Sequence, residues 1–170
     1  MFGLLAGGAS AALAWVVIGS LLRPVVPAWL WMGTWVALTL VVVAAELALR
    51  RLPLPQNPRQ VPITIIDRGS REGAFQFGWE MGTGMRTFMP SVLPYLVLPY
   101  LLFGASAWQA LLLGTAFGAG RAVMVVSRAY HSPDAAAWDD ALRRHRSAFA
   151  RGLAAVSGLC VLLGLAHQMV

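Results

Sequence analysis

At 170 residues, 58% of them hydrophobic and only 12% charged, the chain falls far below the charge content of soluble domains, which excludes an ordinary soluble fold. The net charge is +6 and all 13 basic residues are arginine; they flank apolar runs, so they read as membrane-orienting charges and not as a nucleic-acid surface. A single cysteine, Cys160, excludes an internal disulfide, a Cys-x-x-Cys redox pair and a cysteine-rich zinc site, and the histidines at 131, 145 and 167 lack metal-ligand spacing, so no metal or cofactor is expected.

The composition predicts an all-α, polytopic transmembrane helical bundle: one integral membrane domain of about five spans, with the lipid bilayer as its surroundings. The first span is 2–22. It has no basic leader, and its apolar run exceeds a signal core, so it is read as retained. Gly3, Gly7 and Gly8 give a small-residue spacing that lets helices approach closely in lipid, or simply a small-residue face. Arg23-Pro24-Val25-Val26-Pro27 is a turn. The second span, 28–49, begins with Trp29, Trp31 and Trp35, as an interfacial aromatic belt would. Glu46 lies four residues before Arg50, a spacing that predicts a local ion pair on one helix face.

Residues 50–59 form a proline-rich linker that cannot continue a helix, and 61–66 read as an extended surface loop. The third span, 73–104, is longer than a straight crossing requires. It carries Glu80 and Arg86 and is interrupted by Gly78, Gly82 and Gly84, then by Pro90, Pro94 and Pro99. Two readings fit. A half-helix ends at the glycines and a second covers 87–103, or 73–83 lies along the interface and only the later part spans. Either way the prolines should kink the later part, giving a broken or kinked third span.

The fourth span, 106–127, starts at Trp108 and contains Arg121. The polar stretch 128–146 holds a helix start at Ser132-Pro133-Asp134 and a short surface helix with Asp139, Asp140, Arg143 and Arg144. The fifth span is 149–167, with Cys160 as an inert packed thiol. Arginines 50, 51, 59, 68 and 71 flank one loop, and 128, 143, 144, 146 and 151 the other; Arg23 alone sits opposite. Five spans put both rich loops on one side. A multi-pass protein of the cell membrane follows, with its N-terminus cytoplasmic and its C-terminus outside.

Ionisable residues within a bilayer are costly and mark interiors or water-filled cavities. Glu80, Arg86 and Arg121 are therefore the ligand-binding or ion-pair candidates. Helical rise places Glu80 and Arg121 each roughly 10 Å inside antiparallel spans, where they can pair. That pairing is preferred to a catalytic role. Arg86 lies roughly 18 Å deep, where it would meet a head group, a substrate carboxylate or a partner's acid, or act as an anchor if 73–83 is interfacial. The helix-packing glycines Gly78, Gly82 and Gly84 recur in spacing as Gly114, Gly118 and Gly120. Arg86 and Arg121, like Met89 and Met124, follow one residue out of step; duplication and chance both remain open. Gly82-Thr83-Gly84 lacks the strand that a dinucleotide fingerprint requires.

On Phe77-Gly78, the glycine run to Gly84 and Pro90, the central stretch resembles the transmembrane halves of the LysE/DsbD superfamily, which includes CcdA-like proteins of cytochrome c biogenesis. Redox members carry a cysteine beside the proline of each half; Thr87 to Met89 stand here instead. The resemblance thus implies no thiol relay, but a small-solute or assembly role in the bacterial cytoplasmic membrane. The first expectation is a protein that binds or passes a small polar or anionic ligand between its third and fourth spans. The alternative is a non-catalytic subunit or scaffold whose glycine faces and arginine loops meet partner membrane subunits or a second copy. An intramembrane enzyme using Glu80 as acid or base comes third.

Overall fold

The computed structural model describes residues 1–50, 52, 71–84, 91–130 and 135–168. The described residues form helices α1 (Phe2–Leu22), α2 (Ala28–Leu47), α3 (Arg71–Thr83), a 3₁₀ turn (Leu93–Val97), α4 (Leu98–Phe103), α5 (Ala107–Tyr130) and α6 (Ala135–Gln168), and no strand. Among the described residues, four stretches are long and apolar enough to cross a membrane: Phe2–Leu22, Ala28–Leu47, Ala107–Ser127 and Ala136–Ala166. Spans 2–22, 28–49 and 106–127 of the sequence reading correspond to α1, α2 and α5. The linker 53–70 and the helix start at 132–134 lie outside the described residues.

The stretch 73–104 is not one helix. α3 ends at Thr83, Gly84 follows with φ 70°, and residues 91 and 92, where description resumes, precede a 3₁₀ turn that starts at Leu93. A left-handed backbone at Gly84 is costly for any residue with a Cβ, so glycine is the natural terminator. Pro94 and Pro99 stand in the first turns of the 3₁₀ turn and of α4. A first-turn N–H has no intrahelical acceptor, so its loss there is harmless.

Nor is there a separate surface helix before the last span. α6 runs unbroken for 34 residues. Its start holds no proline and is rich in helix-favouring alanine, leucine and arginine, and Asp140 pairs with Arg143 one turn on. The change from polar to apolar sequence near Phe149 marks a change of surroundings and not of backbone. Cys160 is exposed on this helix and not packed.

Two clusters hold the bundle. In the first, α1 lies between α3 and α5. Gly3 and Gly7 press on the backbone of Phe75, Trp79 and Gly82 in α3, and Gly8 presses on Gly114 and Gly118 in α5. A Cβ on Gly8 would overlap the carbonyl oxygen of Gly114, and a Cβ on either Gly82 or Gly118 would overlap that of Leu4. Lipid gives apolar helices no hydrophobic reason to associate, so close backbone packing must supply the attraction. The numbering of these contacts makes α3 parallel to α1 and α5 antiparallel to it.

In the second cluster, Trp35 and Val42 of α2 and Val161 and Leu165 of α6 close around Val92 and Leu96. Leu101 and Ala105, further along the same segment, pack against Ala12 of α1 and Ala110 of α5. Residues 92–105 thus enter both cores and lie between α1 and α2. The tryptophans of α2 divide accordingly. Trp29 is exposed like a belt residue, but Trp31 stacks on Phe103 and Trp35 on Tyr100.

Candidate functional site

A short helix packed within a bundle leaves end groups that its own turns cannot satisfy. Here three side chains from outside satisfy them. At the start, Glu46 Oε1 accepts from the Ser91 hydroxyl at 2.7 Å and from the Val92 N–H at 3.0 Å. In the middle, the buried Trp35 indole N–H donates to the Leu96 carbonyl at 2.7 Å. At the end, Arg23 donates from Nε to Leu102 O at 2.9 Å, and from Nη2 to Ala105 O at 2.7 Å and Leu101 O at 3.3 Å. The carboxylate lies at the positive end of the peptide dipoles and the guanidinium at the negative end. From Glu46 through Trp35 to Arg23, the segment therefore runs antiparallel to α2.

Glu46 turns to this backbone instead of pairing with Arg50. The end of α2 explains why. Leu49 adopts φ 55°, with Leu49 N–H bonded to Glu46 O and Arg50 N–H to Ala45 O. This Schellman closure turns the chain away from the helix axis, removing the i, i+4 geometry that the pair needs.

Of the sequence-predicted candidates, Glu80 is buried, 6% exposed, on α3. Arg121 is half-buried on α5, with its guanidinium 5.7 Å from the Phe117 ring centroid. Their levels follow from the glycine contacts. Gly82 and Gly118 both meet the Leu4 carbonyl. Glu80 precedes Gly82 by two residues in the parallel helix, and Arg121 follows Gly118 by three in the antiparallel one. Both therefore lie toward the N-terminus of α1, about 3 and 4.5 Å past that carbonyl. Arg86 lies outside the described residues.

The glycine sets divide. Gly78 and Gly82 dock on α1 through α3, and Gly114 and Gly118 through α5. The third members do not share this role: Gly84 ends α3, and a Cβ on Gly120 would meet nothing within 4 Å. Among the described residues no three His, Cys, Asp or Glu side chains come together as a metal site. An apolar cleft of about 340 Å³ opens between α2 and the broken segment, lined by Leu30, Trp31, Leu38, Tyr95, Pro99 and Phe103 among others.

Sequence reasoning missed the cap role of Arg23 and Glu46. The available signal was Pro94 and Pro99, five residues apart. Read as first-turn residues, they announce two short helices, whose free ends require capping groups elsewhere in the chain. No protein-family model, curated protein or solved structure matches this chain.

Proposed function

We propose that this is an integral membrane protein that binds or passes a small polar or anionic ligand where α1, α3 and α5 meet. Glu80 and Arg121 are its charged groups, and the sequence adds Arg86, which lies outside the described residues. The observation that carries this reading is Glu80, a carboxylate buried on a helix that stops at Gly84 part-way along α1. Interrupted helices and buried charges inside apolar bundles recur at solute sites, because they expose backbone dipoles and fixed charge to a bound polar molecule. A small-solute role also agrees with the resemblance of the central stretch to LysE/DsbD halves. Native mass spectrometry of the protein in lipid nanodiscs tests it. A bound small molecule, lost in Glu80→Gln, supports the reading. A stoichiometric second chain with no small molecule replaces it with the scaffold alternative, which the exposed arginines at the start of α6 favour.

The Glu80–Arg121 ion pair belongs to the same proposal, and their common level supports it. Glu80→Gln and Arg121→Gln should each destabilise the protein by about 1–3 kcal/mol. The double variant should cost less than the sum. Additive losses in thermal or denaturant unfolding would remove the pair.

We further propose five crossings, with α3 and 93–103 together carrying the chain across once. α3 flanks the N-terminal half of α1, and Leu102 meets Gly19 near its other end. Arg50, Arg71, Arg121, Arg143, Arg144, Arg146 and Arg151 then share one face, while Arg23 on the other is engaged by carbonyls. The positive-inside rule makes the arginine-rich face cytoplasmic, with the N-terminus inside and the C-terminus outside. In a Cys160→Ser background, Gln56→Cys and Ala137→Cys should react with an impermeant maleimide only from the cytoplasmic side, and Val170→Cys only from outside. Labelling of Gln56→Cys and Ala137→Cys from opposite sides would sink the arrangement.

A further inference from the structure

We infer that the arginines gathered where α2 ends beside α6 form a binding site for the phosphate of an anionic phospholipid. Arg151 Nε donates to the Leu47 carbonyl at 3.3 Å, which fixes one face of α6 against the end of α2. Arg144, seven residues earlier, stands two turns away on that same face. Arg50 leaves α2 three residues past Leu47. Arg50, Arg144 and Arg151 are all exposed, and none has an acidic partner among the described residues. Of the neighbouring acids, Glu46 is engaged by Ser91 and Val92, Asp140 is committed to Arg143, and Asp139 precedes it further out along α6.

The axial distance from Arg144 to Arg151 is about 10 Å, enough to cross the polar layer of roughly 5–8 Å on one side of a bilayer. Immediately beyond Arg151 the exposed surface of α6 becomes apolar, with Leu153, Val156, Leu159, Leu162 and Leu163 each more than half exposed. Basic residues directly followed by exposed apolar surface complement a molecule with an anionic head and hydrocarbon tails. An acidic protein would match only the arginines. Guanidinium forks fit phosphate oxygens in pairs, and juxtamembrane arginines add to the attraction of anionic lipid one by one.

The test is electron spin resonance of spin-labelled lipids around the reconstituted full chain, comparing phosphatidylglycerol with phosphatidylcholine. The wild type should prefer phosphatidylglycerol. Arg144→Gln, an exposed change that leaves the fold intact by circular dichroism, should weaken that preference on the order of fivefold. The triple change of Arg50, Arg144 and Arg151 to glutamine should abolish it. Arg71→Gln removes an exposed arginine from the start of α3 and should leave it unchanged. No preference in the wild type overturns the inference, as does an equal loss from Arg71→Gln, which would make net charge the cause. Inorganic phosphate and chloride at equal ionic strength should compete equally. Selective displacement by phosphate would mean that the cluster reads free phosphate and not lipid.

Discussion

Gly118→Val should prevent stable assembly of the bundle, while Gly120→Ala, two residues further along the same helix, should leave it intact. The α1–α5 interface is backbone against backbone, and a side chain at 118 would enter the space of the Leu4 carbonyl. A flexible neighbour can swing aside, but a helical carbonyl moves only with its whole helix. The cost therefore exceeds the 1–3 kcal/mol of ordinary overpacking, and about 3 kcal/mol or more is expected. Displacing α1 would also loosen α3, because Gly82 rests on that same carbonyl. At Gly120 an added methyl meets open space, and replacing a helical glycine by alanine should stabilise by about 0.5–1 kcal/mol. Circular dichroism melting of the detergent-purified proteins checks both. Gly118→Val melting with the wild type would show that α1 and α5 are not packed through their glycines.

Arg23→Met should cost about 3 kcal/mol and loosen residues 93–105 specifically. The substitution keeps an apolar stem but leaves the carbonyls of Leu101, Leu102 and Ala105 without their donor, and each buried unsatisfied group costs about 1–3 kcal/mol. Arg23→Lys should recover only part of this, since one ammonium cannot reproduce the guanidinium fork. At the opposite end, Glu46→Ala should cost about 2 kcal/mol, and Glu46→Gln about half that. The amide oxygen can still accept from Ser91 and Val92, although the attraction of a full charge for the helix start is gone. Hydrogen exchange read by mass spectrometry is the discriminating measurement. Peptides from 93–105 should lose protection in each variant while α5 keeps its own. Uniform loss across the bundle would mean that Arg23 and Glu46 support the whole fold and not this segment.

The candidate residues were legible to different degrees. Glu80 and Arg121 stand out in sequence because charge within an apolar run is conspicuous, and counting residues along antiparallel spans already gives them similar depths. Glu46 and Arg23 looked ordinary, at a helix end and in a turn. Their backbone partners are 46 to 82 residues away. Backbone carbonyls and amides look the same at every position in a sequence, so nothing local marks those that lack a helical partner.

Composition alone determined that this chain is helical and suited to a bilayer, because apolar runs of about 20 residues without charge have few other stable states. Local chemistry also located α1, α2 and α5, although α2 ends two residues earlier and α5 three residues later than the apolar runs suggest. Of the glycines after Phe77 only Gly84 ends the helix, while Gly78 and Gly82 lie within it. Tertiary structure decided what the interruption became. Residues 93–105 are too short and too rich in proline to stand alone as a span; Glu46, Trp35 and Arg23 hold them between α1 and α2. It also decided which glycines matter. Gly118 and Gly120 are equivalent in sequence, but only Gly118 faces another helix closely enough for its missing side chain to count. The same holds for Trp29 and Trp35, one exposed and one buried on the Leu96 carbonyl. Which face of a helix meets a neighbour depends on where the other helices settle, and in a uniformly apolar chain little in the helix itself distinguishes one face from another.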